Sequence, residues 1–209
     1  MNKEFQNILE KVSVLYTKYG IKSVTMDDVA HELSISKKTL YLYVENKNEL
    51  VSKVMDYMLD TGDCSIQELK NKDQNAIEEL LEVGIHIIKA HRDYNPSIEY
   101  DLKKYYPELH TKFTSVRKER MHDAIIKNIQ KGKKEGLFRT NMHTELIAQL
   151  QVSRFLIMGS EDFMNPRELL KPQNIIELFI YHIRGIANEK GLKVLEKTLK
   201  DIDIQEYLH

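Results

Sequence analysis

The chain has 209 residues, 42% of them hydrophobic and 30% charged, with a formal net charge of −1 and one cysteine. That is an ordinary globular composition, with apolar material for one large or two small domains. No run approaches the ~20 consecutive apolar residues of a membrane span, the acids inside MNKEFQNILEKV exclude a cleavable signal's apolar block, and Cys64 alone cannot close an internal disulfide. The expectation is a cytoplasmic protein with Cys64 half-buried on a helix, whose total charge offers nucleic acid no attraction.

Glycines number eight and prolines four, none of the latter before Pro96. Apolar residues recur at helical spacing and do not alternate, so the fold class is all-α. The first helix carries Phe5, Ile8, Leu9, Val12, Leu15, Tyr16 and Tyr19 in one stripe, and Gly20 ends it. Thr25 opens a second helix, with Asp28 completing a capping box and Val24 and Val29 as a hydrophobic staple. Ser36 opens a third, flanked by Ile35 and Leu40, and Asn46 a fourth, with Glu49 three residues on. Longer helices are predicted over 46–61, 76–92, 97–105, 108–135, 144–160, 173–189 and 192–203, with loops at 71–75, 136–144 and 163–173.

The second and third helices are joined only by Leu33-Ser34-Ile35, a length typical of a helix-turn-helix. A helix N-terminus presents unpaired N–H groups and partial positive charge, which suits phosphate. Thr39, Tyr41 and Tyr43 are neutral donors of the kind that fix register on a sugar-phosphate backbone. Lys37 and Lys38 are placed to reach base edges, where lysine reads guanine O6 and N7. Asn46-Lys47 and Thr25 bring two further helix starts to the same surface. Seven Lys/Arg and seven Asp/Glu occupy the first fifty residues, so DNA binding must rest on local placement of charge.

GIKSVTMDDVAHELSISKKTLYLYVENKNEL resembles the N-terminal domain of TetR-family transcriptional regulators. The shared pattern runs from a glycine closing the first helix, through a threonine before the second, to Thr-Leu-Tyr, an aromatic pair and Lys-x-x-Leu. It covers about residues 5–55. The resemblance implies phosphate contacts from Thr25, Thr39, Tyr41, Tyr43 and Lys47, and base readout by Lys37 and Lys38. Ser34 stands where such turns usually place a glycine with positive φ, and Val44 where a phenylalanine is common. Asp27 and Asp28 suit the second helix's dipole but repel phosphate. The implied architecture is a helix-turn-helix DNA-binding domain over 1–48, with the motif at about 25–44, and a helical ligand-binding and dimerisation domain over 49–209.

In that larger domain the helices near 144–160 and 173–189 are too apolar for solvated surface elements, and are expected to form a homodimer interface. From Lys103 to Arg139, eleven Lys/Arg face four Asp/Glu, read as one solvated side of a long helix. Tyr94, Tyr100, Tyr105, Phe113 and Phe155 are candidate lining for an effector pocket. No glycine loop for phosphate, no cysteine pair and no nucleophile elbow occurs. No catalytic residue, metal or cofactor is therefore expected. The partners expected are double-stranded DNA carrying a pseudo-palindromic operator, a small-molecule effector and a second copy of the chain. The function is that of a dimeric repressor released by its effector. The alternatives are an activator using the same headpiece and, in a different class, a helical ligand-carrier or enzyme.

Overall fold

The computed structural model describes residues 3–68, 73–91, 97–158, 168 and 171–201, and every regular element named among them is helical. They are α1 (Lys3–Tyr19), α2 (Met26–Glu32), α3 (Lys37–Leu40), α4 (Lys47–Glu68), α5 (Ala76–His91), α6 (Ser97–Tyr105), α7 (Pro107–Lys134), α8 (Thr144–Met158), α9 (Pro172–Ile186) and α10 (Glu189–Asp201). The chain divides into two compact units. The first is Met1–Ser65 with Asp93–Arg117, and the second Ile66–Arg92 with Lys118–His209.

In the first unit the α1 stripe faces inward as its spacing requires, burying Phe5, Ile8, Leu9, Val12, Leu15 and Tyr16. They pack with Leu40, Val44, Leu50, Val51, Val54 and, from α6, Leu102. Tyr19 departs from the predicted stripe and is exposed, because the chain turns away at the next residue. That residue is Gly20, at φ +81, whose N–H donates to the Tyr16 carbonyl (2.9 Å). A Cβ there would be strained and would sit 3.1 Å from the Asp101 carboxylate.

The three expected helix starts are all capped. Thr25 Oγ1 accepts from the Asp28 N–H (3.2 Å) and Asp28 Oδ2 accepts from the Thr25 N–H (2.7 Å), a complete capping box. Ser36 Oγ accepts from the Thr39 N–H (3.0 Å). Asn46 Oδ1 accepts from the Glu49 N–H (3.0 Å), while the Glu49 carboxylate reaches the Glu45 N–H (2.6 Å) instead of the cap's own. Between α2 and α3, Ser34 holds φ +54, the conformation its position in the turn demands.

In the second unit α5 packs along α9 and α10. Two apolar clusters result, one around Ile77, Leu81, Phe138, Ile183 and Leu195, the other around Ile88, Ile175, Ile176 and Phe179. The predicted helices 173–189 and 192–203 become Pro172–Ile186 and Glu189–Asp201. Their break is a short antiparallel bridge between Phe138 and Ala187. Arg139 N–H donates to Ile186 O and Asn188 N–H to Leu137 O, both at 2.9 Å, and Asn188 Oδ1 then caps α10 through the Gly191 N–H (3.0 Å). Gly132 makes room for this bridge: a Cβ there would run into the Phe138 ring. Helix α4 runs to Glu68, beyond its predicted end at 61. Cys64 lies on it, with its side chain outside the described residues, as is most of the loop predicted over 163–173.

Two stability predictions follow from these local features. A serine in the left-handed region costs about 1–2 kcal/mol that glycine avoids, offset in part by glycine's greater chain entropy. Ser34→Gly is therefore expected to raise the thermal midpoint, by the equivalent of about 0.5–1 kcal/mol. His182 is buried on α9, and burial, with the Arg154 guanidinium nearby, pushes its pKa down to about 4. The unfolded chain then takes up a proton before the folded one does. Stability is full above about pH 6.5 and falls as pH drops toward 4, by something on the order of 3 kcal/mol. His182→Gln should flatten that dependence in denaturant titrations.

Candidate nucleic-acid interface

The seven residues expected to meet DNA lie at the starts of α2 and α4, on α3 and, for Tyr41 and Tyr43, in the turn that follows α3, and they differ in how freely they present their donors. Lys38 and Tyr41 are exposed. Lys37 is exposed too, but its ammonium lies 2.5 Å from Asp27 Oδ1. An exposed pair like this is worth about 0–1 kcal/mol, enough to bias Lys37 away from other partners. The Thr39 hydroxyl lies 2.8 Å from Ser36 Oγ, at the first turn of α3. The Thr25 hydroxyl donates to Asp28 Oδ2 (2.7 Å), and hydrogen bonds from Thr25 hold the Asp28 carboxyl below the usual carboxylate range.

Tyr43 has a double role. Its ring stacks on Phe5, with centroids 5.2 Å apart and planes 3° from parallel, which ties the end of the recognition segment to the start of α1. A hydrogen bond to the Glu4 carboxylate raises its phenol pKa.

Lys47 is half-buried at the first position of α4, and its ammonium donates to the Lys22 carbonyl (3.4 Å). Burial, then the neighbouring Lys22 charge, lower its pKa, and Asp101 and Asp28 oppose that shift. Asp101 is the residue that sequence reasoning missed. Buried on α6, it accepts the Lys22 N–H at 2.7 Å and abuts Gly20, thereby fixing the corner on which Lys47 rests. Nothing local in the sequence marks it, since its partner is 79 positions away. Lys22 itself sits over the Tyr105 ring (4.6 Å), with Lys104 over the same ring (5.3 Å).

The five effector candidates are not gathered into one unit. Tyr94 lies outside the described residues. Tyr100 and Tyr105 are exposed on α6, and the Tyr100 hydroxyl accepts from Lys104 (2.9 Å). Phe113 packs against the core of the first unit, and Phe155 against Phe179 of the second (5.9 Å). An open cleft of about 340 Å³ in the second unit is lined mainly by polar groups, among them Asn75, Lys131, Glu135 and Lys190. Its charges are already engaged: Lys131 pairs with Glu79 (2.6 Å) and Glu135 accepts the Ala76 N–H (2.8 Å). Among the described residues no three His, Cys, Asp or Glu converge as a metal site requires.

Truncating Lys47 removes a cation together with its hydrogen bond to the Lys22 carbonyl. Lys47→Ala is expected to weaken binding to all duplexes alike and to flatten the log–log salt dependence by about one unit per protomer, which fluorescence anisotropy across a salt series will measure.

Comparison with known proteins agrees with this geometry. Residues 8–54 match the family model described as bacterial regulatory proteins, tetR family. Over 83 residues the chain is 34% identical to the uncharacterized HTH-type transcriptional regulator YhgD of Bacillus subtilis, a match spanning 40% of each chain. Over 163 residues it is 24% identical to the biofilm operon icaADBC HTH-type negative transcriptional regulator IcaR of Staphylococcus epidermidis, spanning 76% of this chain and 75% of that one. The crystal structure of a transcriptional regulator from Cytophaga hutchinsonii, 16% identical, superposes with a TM-score of 0.74 over 90% of this chain and 100% of the other. A TetR transcription regulator from Haloarcula marismortui, 14% identical, does so with a TM-score of 0.72 over the same shares. The structural likenesses establish the fold, a helix-turn-helix followed by a larger helical domain, and the relatives are regulators of transcription, not enzymes. Residues 8–54, which hold the capped helix-turn-helix, match the DNA-binding domain of the TetR family, and the chain resembles that family's DNA-binding transcriptional regulators.

Proposed function

We propose that the protein is a dimeric repressor that binds a pseudo-palindromic operator and is released by a small-molecule effector. The observation that carries this reading is a set of large apolar side chains left exposed on α8 and α9 of the second unit. Leu146 and Leu150, one turn apart on α8, are 50% and 58% exposed, and Tyr181 on α9 is 72% exposed. These are the two helices whose apolar content pointed to an interface, and large side chains this exposed on adjoining helices mark a surface that a partner covers. A second copy is the fitting partner, because a headpiece with balanced local charge gains affinity by engaging two half-sites at once. The helix-turn-helix of each copy would then dock in successive major grooves, with Thr25, Thr39, Tyr41, Tyr43 and Lys47 on phosphates and the lysines of α3 on base edges. The functional division falls near residue 48, where the headpiece gives way to the domain that binds effector and partner. A regulator of this kind works in the cytoplasm, and no helix among the described residues is long and apolar enough to cross a membrane.

Repression is favoured over activation by the similarity to IcaR, a negative regulator, along 76% of the chain. Helix α4 is the element proposed to transmit the effector signal. It begins with Lys47 beside the recognition helix and ends at Glu68, within the second unit's stretch of chain. An effector that favours one tilt of α4 changes the spacing of the two recognition helices. Half-sites lie about 34–36 Å apart, so a shift of a few ångströms prevents simultaneous docking.

Two measurements test this. Leu150→Glu combined with Tyr181→Glu alters only exposed positions, so the variant should fold with an unchanged helical spectrum yet sediment as a monomer and bind the operator weakly. A folded variant that still sediments as a dimer places the interface elsewhere. For release, a tenfold loss of DNA affinity corresponds to ~1.4 kcal/mol of coupling, and DNA must weaken the effector by the same factor. Calorimetric titration of effector with and without saturating operator should show that tenfold difference, and equal affinities rule out release through α4.

A further inference from the structure

The seven residues expected at the DNA surface leave out the most exposed large apolar side chain found there. Leu42 is 76% exposed, immediately after α3, and takes no part in the core of the first unit. Its backbone continues the coil of the recognition helix: Tyr41 N–H donates to Lys37 O (2.9 Å), Leu42 N–H to Thr39 O (3.1 Å) and Tyr43 N–H to Leu40 O (3.1 Å). Two of these bonds span only three residues, so the coil tightens beyond Leu40; Lys38 and Leu42 both stay on its outward side, while Leu40 and Val44 point into the core. A lone exposed leucine elsewhere would need no explanation. This one stands a turn beyond an exposed lysine, on the element that a DNA-binding regulator offers to the major groove.

Lys37 must first leave Asp27, 2.5 Å away, before it can read a base, whereas no such pair holds Lys38 among the described residues. That leaves Lys38 and Leu42 as the pair with free chemistry on the reading face. Among the groups in the major groove, thymine alone carries an apolar one, its C5-methyl, whereas lysine prefers guanine O6 and N7. Four residues advance about 6–8 Å along the axis, between the rise of an α-helix and that of the tighter turn, or about two base-pair steps of 3.4 Å.

We infer that Leu42 is a specificity-determining residue that packs on a thymine methyl, about two base pairs from a guanine read by Lys38, in each half-site. The inference rests on the operator-binding reading above and adds the base composition that its reading face selects.

The test uses the full-length protein and a duplex enriched from a random library by the wild-type chain. Each thymine of that duplex is replaced in turn by deoxyuracil, which removes the methyl and nothing else. One thymine per half-site should prove sensitive, with binding weakened about fourfold for the buried methyl and about sixteenfold when both half-sites are changed. Leu42→Ala should bind the parent duplex more weakly and lose that sensitivity, while Leu42→Met, which keeps an apolar side chain of similar volume, should retain it. Since position 42 is exposed, neither substitution threatens folding, which circular dichroism will verify. Replacing the neighbouring guanine by 7-deazaguanine should weaken the wild type and leave Lys38→Ala indifferent. Wild-type binding that tolerates deoxyuracil at every thymine overturns the inference, and so does a Leu42→Ala variant with the full deoxyuracil penalty. Either result leaves operator binding intact. Failure of the library to enrich any duplex overturns operator binding and this inference with it.

Discussion

Helix α3 has four residues, Lys37 to Leu40, and a helix that short has passed the costly nucleation step without reaching the cooperative propagation that repays it. It exists because both its ends and its inner face are supplied from outside. Ser36 takes up a first-turn N–H, Ser34 turns the chain through a left-handed conformation, and Leu40 drops into a fully buried site between α1 and α4. Each cap contributes about 1 kcal/mol. Burial of a leucine adds about 1.5–3 kcal/mol. The exposed side of the helix is then free to carry side chains chosen for what they meet outside, and this is where Lys38, Tyr41 and Leu42 stand.

The same dependence links the recognition segment to distant parts of the chain. Tyr43 stacks on Phe5 at the start of α1, and Lys47 leans on the Lys22 carbonyl, whose own N–H is held by Asp101 from α6. A buried carboxylate that accepts a backbone N–H resists displacement, because moving it strands both groups without partners. The headpiece is thus braced at the α1–α2 corner by α6. Charge near the site is balanced similarly, by pairing: Asp27 engages Lys37, and Asp28 is spent on the α2 cap.

The second unit is organised around a different constraint. The bridge between residues 137–139 and 186–188 exchanges two backbone hydrogen bonds and seats Phe138 against Gly132, setting where α9 stops and α10 starts. With the inner faces of α9 consumed by α5, its outer residue Tyr181 and the α8 leucines remain at the surface. The proposed dimer face is what is left over after the unit has built its core. This also separates Phe179, a core residue whose replacement would unfold the unit, from Leu150 and Tyr181, whose replacement would not.

Local chemistry was legible in the sequence. The helical period of α1, the caps at Thr25, Ser36 and Asn46, the stop at Gly20 and the strained Ser34 all depend on residues within about four positions of one another, so the sequence by itself determined the helix-turn-helix. Tertiary structure alone decided what depended on distant partners. The break at Ala187 comes from a bridge to Phe138, Lys37 is diverted by an aspartate ten positions earlier, and the bracing role of Asp101 spans 79 residues. The aromatic residues singled out for a pocket show the same limit. Phe113 and Phe155 have the same type of side chain, yet they pack against the cores of different units. A residue's type sets what it prefers to be buried with, and only the path of the chain brings that partner within reach.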